Sequence, residues 1–139
     1  MKVRFKKLHP EAVMPKKAHP EDAGFDLVAV AVEEHQGIVS YDFGLAVEIP
    51  RGYVGLIFPR SSVYKKDLAL TNSVGVVDSC FRGPISAKFR TTFPDMYRYS
   101  VGDRVAQLII MPYPEVEFEE SDELSETDRG TGGYGSTGV

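Results

Sequence analysis

Glycine and proline break this chain at short, regular intervals. Short runs rich in β-branched and aromatic residues, DLVAVAV, IVSYDFGLAVEIP, GYVGLIF, PISAKFRTTF and RVAQLIIMPY, follow one another between glycine and proline punctuation. No stretch carries a convincing amphipathic helical pattern. The best candidate is a single turn at SSVYKKD, where Ser62 is placed to cap the amides that follow. The breaks PRGY, FRGP and VGDR offer the positive or fixed φ angles that tight turns need. The expectation is an all-β fold, a jelly-roll-like barrel or sandwich with at most one short helix. No period of about twenty to fifty residues repeats.

At 139 residues and 42% apolar content, the chain can bury one core but not two. Composition shifts twice near the end, first to the acidic EVEFEESDELSETD and then to DRGTGGYGSTGV. The expected organisation is a β domain over residues 1–128, its core ending near Pro114, and a flexible glycine-rich arm over 129–139. With 16 Lys and Arg against 20 Asp and Glu, no global charge recommends nucleic acid or an anionic membrane as a partner. A single cysteine, Cys80, rules out an intrachain disulfide and fits a reducing compartment. The start, MKVRFKK, lacks the apolar stretch of a signal peptide, so a cytoplasmic location is expected.

Four segments carry residues suited to chemistry. PRSSVYKKD gathers Arg60, Ser61 and Ser62 after an apolar strand: a cation, two hydroxyls and backbone amides that suit a phosphate, or a plain surface turn with a cap. Lys65 and Lys66 read as solvated charges. In TNSVGVVDSCFRGPISAKF, Asp78 stands between an apolar run and a turn, where it serves either an Asx turn or, beside a substrate, as a base that activates water. Gln107 in GDRVAQLII needs partners for its amide, from backbone or ligand, whereas Asp103 and Arg104 read as structural. The tail is either a loose terminus or a lid, in which glycine amides, Arg129, Ser136 and Thr137 meet phosphate oxygens and Tyr134 stacks on a flat ring. His9 and His19, each followed by proline, are loop residues, and no zinc site is expected.

In this order AGFDL, PRSSV, GVVDSCFRG, GDRVAQLI and RGTGGYGSTG resemble the five segments of the trimeric all-β dUTPase family, across nearly the whole chain. The resemblance implies hydrolysis of dUTP to dUMP and pyrophosphate, limiting uracil in DNA and supplying dUMP for thymidylate. It implies Mg²⁺ carried by the triphosphate with no direct protein ligands, and a homotrimer whose sites are shared between subunits. Asp78 then matches the water-activating aspartate. Phe81 falls where a tyrosine usually underlies the deoxyribose, and Asn72, Val76, Val77 and Ser86 belong to the hairpin that reads uracil. Arg60, Ser61, Ser62 and Gln107 match phosphate contacts, and Asp26 matches an aspartate that organises the metal and water network. In the arm, which closes over a neighbouring subunit's site, Arg129, Ser136 and Thr137 match contacts to the terminal phosphate, Gly135 is a further substrate-binding position, and Tyr134 replaces a phenylalanine that covers the base. Cys80 stands where an acidic residue is frequent.

Two other readings follow from the same fold. A dCTP deaminase needs a glutamate on the return strand, and CFRGPISAKFR has no acidic residue. A nucleotide-binding module without turnover would leave Asp78 without a task.

Overall fold

A computed structural model describes residues 1–93 and 97–138. Among these residues the chain is all-β, with ten strands, one 3-10 turn and no α-helix. In chain order the strands are β1 (Arg4–Lys7), β2 (Phe25–Val28), β3 (Ala31–His35), β4 (Ile38–Asp42), β5 (Leu45–Glu48), β6 (Tyr53–Pro59), β7 (Leu68–Leu70), β8 (Gly75–Val77), β9 (Ser86–Thr91) and β10 (Arg104–Pro112). The 3-10 turn spans Ser61–Lys65, between β6 and β7.

Two of the runs read from the sequence each split into two strands. DLVAVAV becomes β2 and β3, which lie in different sheets, and the chain crosses between them at the buried Ala29 and Val30. IVSYDFGLAVEIP breaks at Gly44, whose φ is +62° and whose missing Cβ would sit 2.7 Å from the Cβ of His9. Only glycine fits such a position.

The strands form two four-stranded antiparallel sheets, ordered β2-β10-β6-β8 and β3-β4-β9-β7, and a two-stranded sheet β1-β5. Inward residues of both large sheets make a single buried cluster. The alternation that builds it is cleanest in β9, where Ala87 and Phe89 are buried while Ser86, Lys88 and Arg90 face out. In β4 the same alternation buries Val39 and Tyr41, which stand opposite Phe89 and Ala87. Tyr41 meets Phe89 edge-on at 5.8 Å between ring centroids and Tyr99 at 6.0 Å. Each such side chain contributes about 1.5–3 kcal/mol by leaving water. The Tyr41 hydroxyl donates to the Tyr99 carbonyl at 3.1 Å, and burial pushes its phenol above the usual tyrosine value.

Several local expectations are corrected. Ser62 does not cap the short helix: Arg60 holds the cap position, its carbonyl accepts the Val63 amide at 2.9 Å, and no side chain caps that end. Lys66 is not a solvated charge, because its ammonium donates to the Arg98 carbonyl at 3.0 Å and lies over the Tyr99 ring. Gly52 and Gly102 do adopt positive φ, as PRGY and VGDR imply. Gly83 of FRGP does not; its lack of a side chain makes room for Phe81, whose Cζ would lie 2.6 Å from an added Cβ.

Beyond β10 the chain leaves the sheets. The Tyr113 amide still donates to the Gly52 carbonyl, and Arg51 lies 3.6 Å from Glu115. Among the described residues no hydrogen bond or ion pair then ties 116–138 to the strands. No helix of the described residues is long and apolar enough to cross a membrane.

Candidate active site

Two clefts gather the residues singled out in the sequence. The first, of about 290 Å³, is lined by Asp26, Arg60, Ser61 and Gln107 among others. Strand register assembles it. Gln107 on β10 stands opposite Asp26 on β2 and opposite Phe58 on β6, so one row crosses three strands and ends beside the Pro59–Arg60 exit of β6. The Gln107 amide donates to the Pro59 carbonyl at 3.0 Å. Its other end lies against Gly24, where an added Cβ would come within 2.3 Å of Oε1.

Asp26 is largely buried and holds two cations. Its Oδ1 accepts from Arg60 Nε at 2.9 Å and its Oδ2 from Arg104 at 3.2 Å. The guanidinium of Arg60 is thereby oriented by its inner edge. Arg104 has the structural place expected for it, and Asp103 closes the preceding turn by accepting the Ser100 amide at 2.8 Å. Ser62, in the 3-10 turn, lines neither cleft.

The second cleft, of about 210 Å³, lies where β8 turns back into β9. Asn72, Val76, Val77, Asp78, Phe81 and Ser86 all line it. Asn72 lies in the tight connection between β7 and β8, where Ser73 has φ of +59°. Asp78 follows β8 directly and is exposed. Its backbone carbonyl accepts the Phe81 amide at 3.0 Å, but among the described residues its carboxylate has no partner. The Asx-turn reading of Asp78 is therefore not what is observed. Phe81 turns its ring over Gly83 and remains 43% exposed toward the cleft. Cys80, between them, is exposed and free.

The arm reaches neither cleft of its own chain. Arg129 donates from Nε to the Gly132 carbonyl at 2.8 Å, and successive turns fold 127–138 on themselves. Tyr134, at φ of +49°, stands fully exposed, and Gly135 (φ of +87°), Ser136 and Thr137 are exposed as well. The two clefts have no lining residue in common.

Sequence reasoning passed over Gly24, read FRGP as a turn without a packing role for Gly83 or a polar role for Arg82, and did not pair Asp26 with Arg60. Single glycines give no signal until the group packed against them is known, and a pairing between positions 26 and 60 appears only with strand register. Among the described residues no three His, Cys, Asp or Glu side chains converge as a metal cage.

A family model described as dUTPase matches residues 10–138. The chain belongs to the dUTPase family. A deoxyuridine 5'-triphosphate nucleotidohydrolase of Rhodococcus erythropolis is 40% identical over 147 residues, covering 99% of this chain and 87% of that protein. The fold is shared with solved dUTPases. A variant of the Staphylococcus bacteriophage 80alpha enzyme with dUpNHpp superposes with a TM-score of 0.86 at 28% identity, covering 99% of each chain. A variant dUTPase from phage phi11 of S. aureus, whose structure describes coordination of a structural Mg(II) ion, gives 0.75 at 26% identity over 88% of this chain and 98% of that one.

Proposed function

We propose that this dUTPase-family chain hydrolyses dUTP to dUMP and pyrophosphate, with Asp78 activating the attacking water. The observation that carries the reading is the carboxylate of Asp78, unpaired at the rim of a cleft lined by Asn72, Phe81 and Ser86. A triphosphate repels nucleophiles through its charge, so a site must neutralise that charge and aim a water at phosphorus. Asp78 takes the proton as the water oxygen bonds to the α-phosphorus. The bond from that phosphorus to the bridging oxygen breaks, and pyrophosphate departs.

Arg60, Ser61 and Gln107 hold the phosphate chain, and Asp26 presents Arg60 to it. Asn72 and the main chain at Val76, Val77 and Ser86 read the uracil edge, a polar and steric filter against cytosine and thymine. Phe81 gives the sugar a flat floor. Magnesium, when carried by the substrate, would supply charge neutralisation, and phosphate oxygens suit a metal that prefers oxygen ligands and retained water.

The working enzyme is a homotrimer, with Arg129, Tyr134, Gly135, Ser136 and Thr137 closing over a neighbour's cleft. Support comes from the arm's independence of its own clefts and from charge. Residues 115–128 hold eight carboxylates and no basic side chain, while residues 1–17 hold six Lys and Arg against one Glu. An apolar groove of about 480 Å³, bounded by Val3, Phe5, Phe25 and Ile110, lies beside that basic segment. It offers a seat for the exposed Val116 and Phe118 of a second copy. The free thiol of Cys80 suits a reducing, cytoplasmic compartment.

The test is pyrophosphate release with Mg²⁺ from dUTP, dTTP, dCTP and UTP, each offered separately. Selective turnover of dUTP is expected. Ammonia release from dCTP would make the chain a deaminase, and dUTP binding without turnover would make it a binding module. Light scattering that finds a stable monomer would overturn the shared site.

A further inference from the structure

The turn between β8 and β9 carries both Asp78 and Phe81, and among the described residues the Asp78 carboxylate has no hydrogen-bond partner while the Phe81 ring lies over Gly83. We propose that Arg82, by clamping this turn from behind, is a positioning residue that fixes the water-activating carboxylate and the sugar-facing ring together. The proposal rests on the dUTP-hydrolysis reading of the site.

One guanidinium nitrogen does most of the holding. Arg82 NH1 donates to the Ser79 carbonyl at 2.6 Å and to the Phe81 carbonyl at 2.8 Å, so two limbs of the turn converge on a single cationic group. These carbonyls would otherwise face solvent on a loop, the kind of segment that opens locally at little cost. The second nitrogen, NH2, faces Glu48 Oε1 at 3.8 Å, and that same oxygen accepts from Arg4 at 2.5 Å. Glu48 ends β5 and stands opposite Arg4 on β1, which connects the clamp to regular structure. The chain is tied down again just past the turn, where the Ile85 amide donates to the Leu45 carbonyl at 2.8 Å.

The magnitudes rank these contacts. An exposed ion pair at 3.8 Å contributes little, whereas short bonds from a cation to backbone carbonyls are among the stronger ones. The effect therefore lies in the two carbonyl bonds, and Glu48 only aims the guanidinium. NH1 is committed to the turn, whereas Nε and NH2 make no hydrogen bond among the described residues, so a phosphate-ligand role is the alternative the experiment must separate. The two roles predict different kinetics. A phosphate ligand changes KM and leaves sugar preference alone. A clamp changes kcat and sugar preference together, because both reporters are on the turn.

The experiment compares wild type, Arg82→Ala, Arg82→Lys and Glu48→Gln for kcat and KM on dUTP, for the dUTP over UTP ratio of kcat/KM, and for hydrogen exchange at the Phe81 amide. In Arg82→Ala kcat is expected to fall on the order of 10- to 100-fold, the scale of a misplaced catalytic group. The sugar preference should drop with it, KM should change little, and Phe81 amide exchange should accelerate. Lys, with one rotatable ammonium, should restore part of each, and Glu48→Gln should show the mildest form. If Arg82→Ala does not fold, Arg82→Lys and Glu48→Gln still decide between graded loss and none. Unchanged kcat, preference and exchange in the folded variants would overturn the clamp. Raised KM with intact preference would replace it with a ligand role. Wild-type silence on dUTP would instead remove the hydrolysis reading, and the exchange rate of Phe81 alone would then tell whether Arg82 holds the turn.

Discussion

Replacing Asp78 with Asn separates catalysis from folding more sharply than any other change in this chain. The side chain keeps its shape and loses its charge and basicity. A positioned general base contributes about 10²–10⁴ in rate, equivalent to about 2.7–5.5 kcal/mol of barrier, and kcat on dUTP should fall by that factor. The stability side follows from the surroundings. The carboxylate is exposed and has no hydrogen-bond partner among the described residues, so nothing in the fold depends on it. Exposed substitutions of that kind stay within about 0.5 kcal/mol, and the melting temperature at fixed protein concentration should shift by less than about 3 °C. Three measurements are needed: pyrophosphate release at saturating dUTP with Mg²⁺, thermal unfolding, and calorimetric binding of dUpNHpp. The expected pattern is lost turnover with melting and binding preserved. Turnover within about tenfold of wild type would remove Asp78 as the base. A large drop in melting temperature would show that its role is structural.

Three further outcomes follow from the geometry. Gly24→Ala places a Cβ 2.3 Å from Gln107 Oε1, so the amide must swing away from the Pro59 carbonyl; stability should drop by about 0.5–1.5 kcal/mol and KM for dUTP should rise, and an unchanged KM would detach Gln107 from the phosphates. Removing residues 129–139 should leave the melting temperature unchanged and abolish turnover, because the arm's described residues bond only to one another and to Thr127, outside the strands; full activity in the truncated chain would refute the lid. Tyr41→Phe strands the buried Tyr99 carbonyl at a cost of about 1–3 kcal/mol. It should also flatten the alkaline limb of stability: the folded phenol titrates above 10.0, so its contribution is complete below that pH and is lost as pH rises toward the folded value, which urea unfolding across that range will read.

What the sequence made legible, and what it did not, divides along the distance over which a contact forms. β9 could be read directly, because Ala87 and Phe89 alternate with polar neighbours and burial follows that alternation. β1 could not: RFKK is exposed along its whole length and is a strand only because Arg4 to Lys7 pair with Leu45 to Glu48. Ser62 looked like a cap because capping is a local pattern, but the helix is a single 3-10 turn whose first carbonyl comes from Arg60. The same division governs the site. Asn72, Asp78, Phe81 and Ser86 are close in sequence and share one cleft. Asp26, Arg60, Arg104 and Gln107 span most of the chain and meet only through the register of β2, β10 and β6, so their types were legible and their pairings were not.

The arm is the limiting case of that rule. Its residue types suit phosphate and a flat ring, yet among the described residues its polar groups bond only to one another and to Thr127, and Tyr134 is fully exposed. A glycine-rich segment loses much backbone entropy on ordering and remains ordered only where contacts compensate. Those contacts are absent from its own clefts, so a catalytic role for the arm requires a second copy and a bound triphosphate at the same time. Turnover should therefore depend on assembly more steeply than folding does. Diluting the protein through its assembly range while following both pyrophosphate release and secondary structure separates the two: activity lost while the β signal persists supports the shared site, and activity per chain that stays constant into the monomer range refutes it.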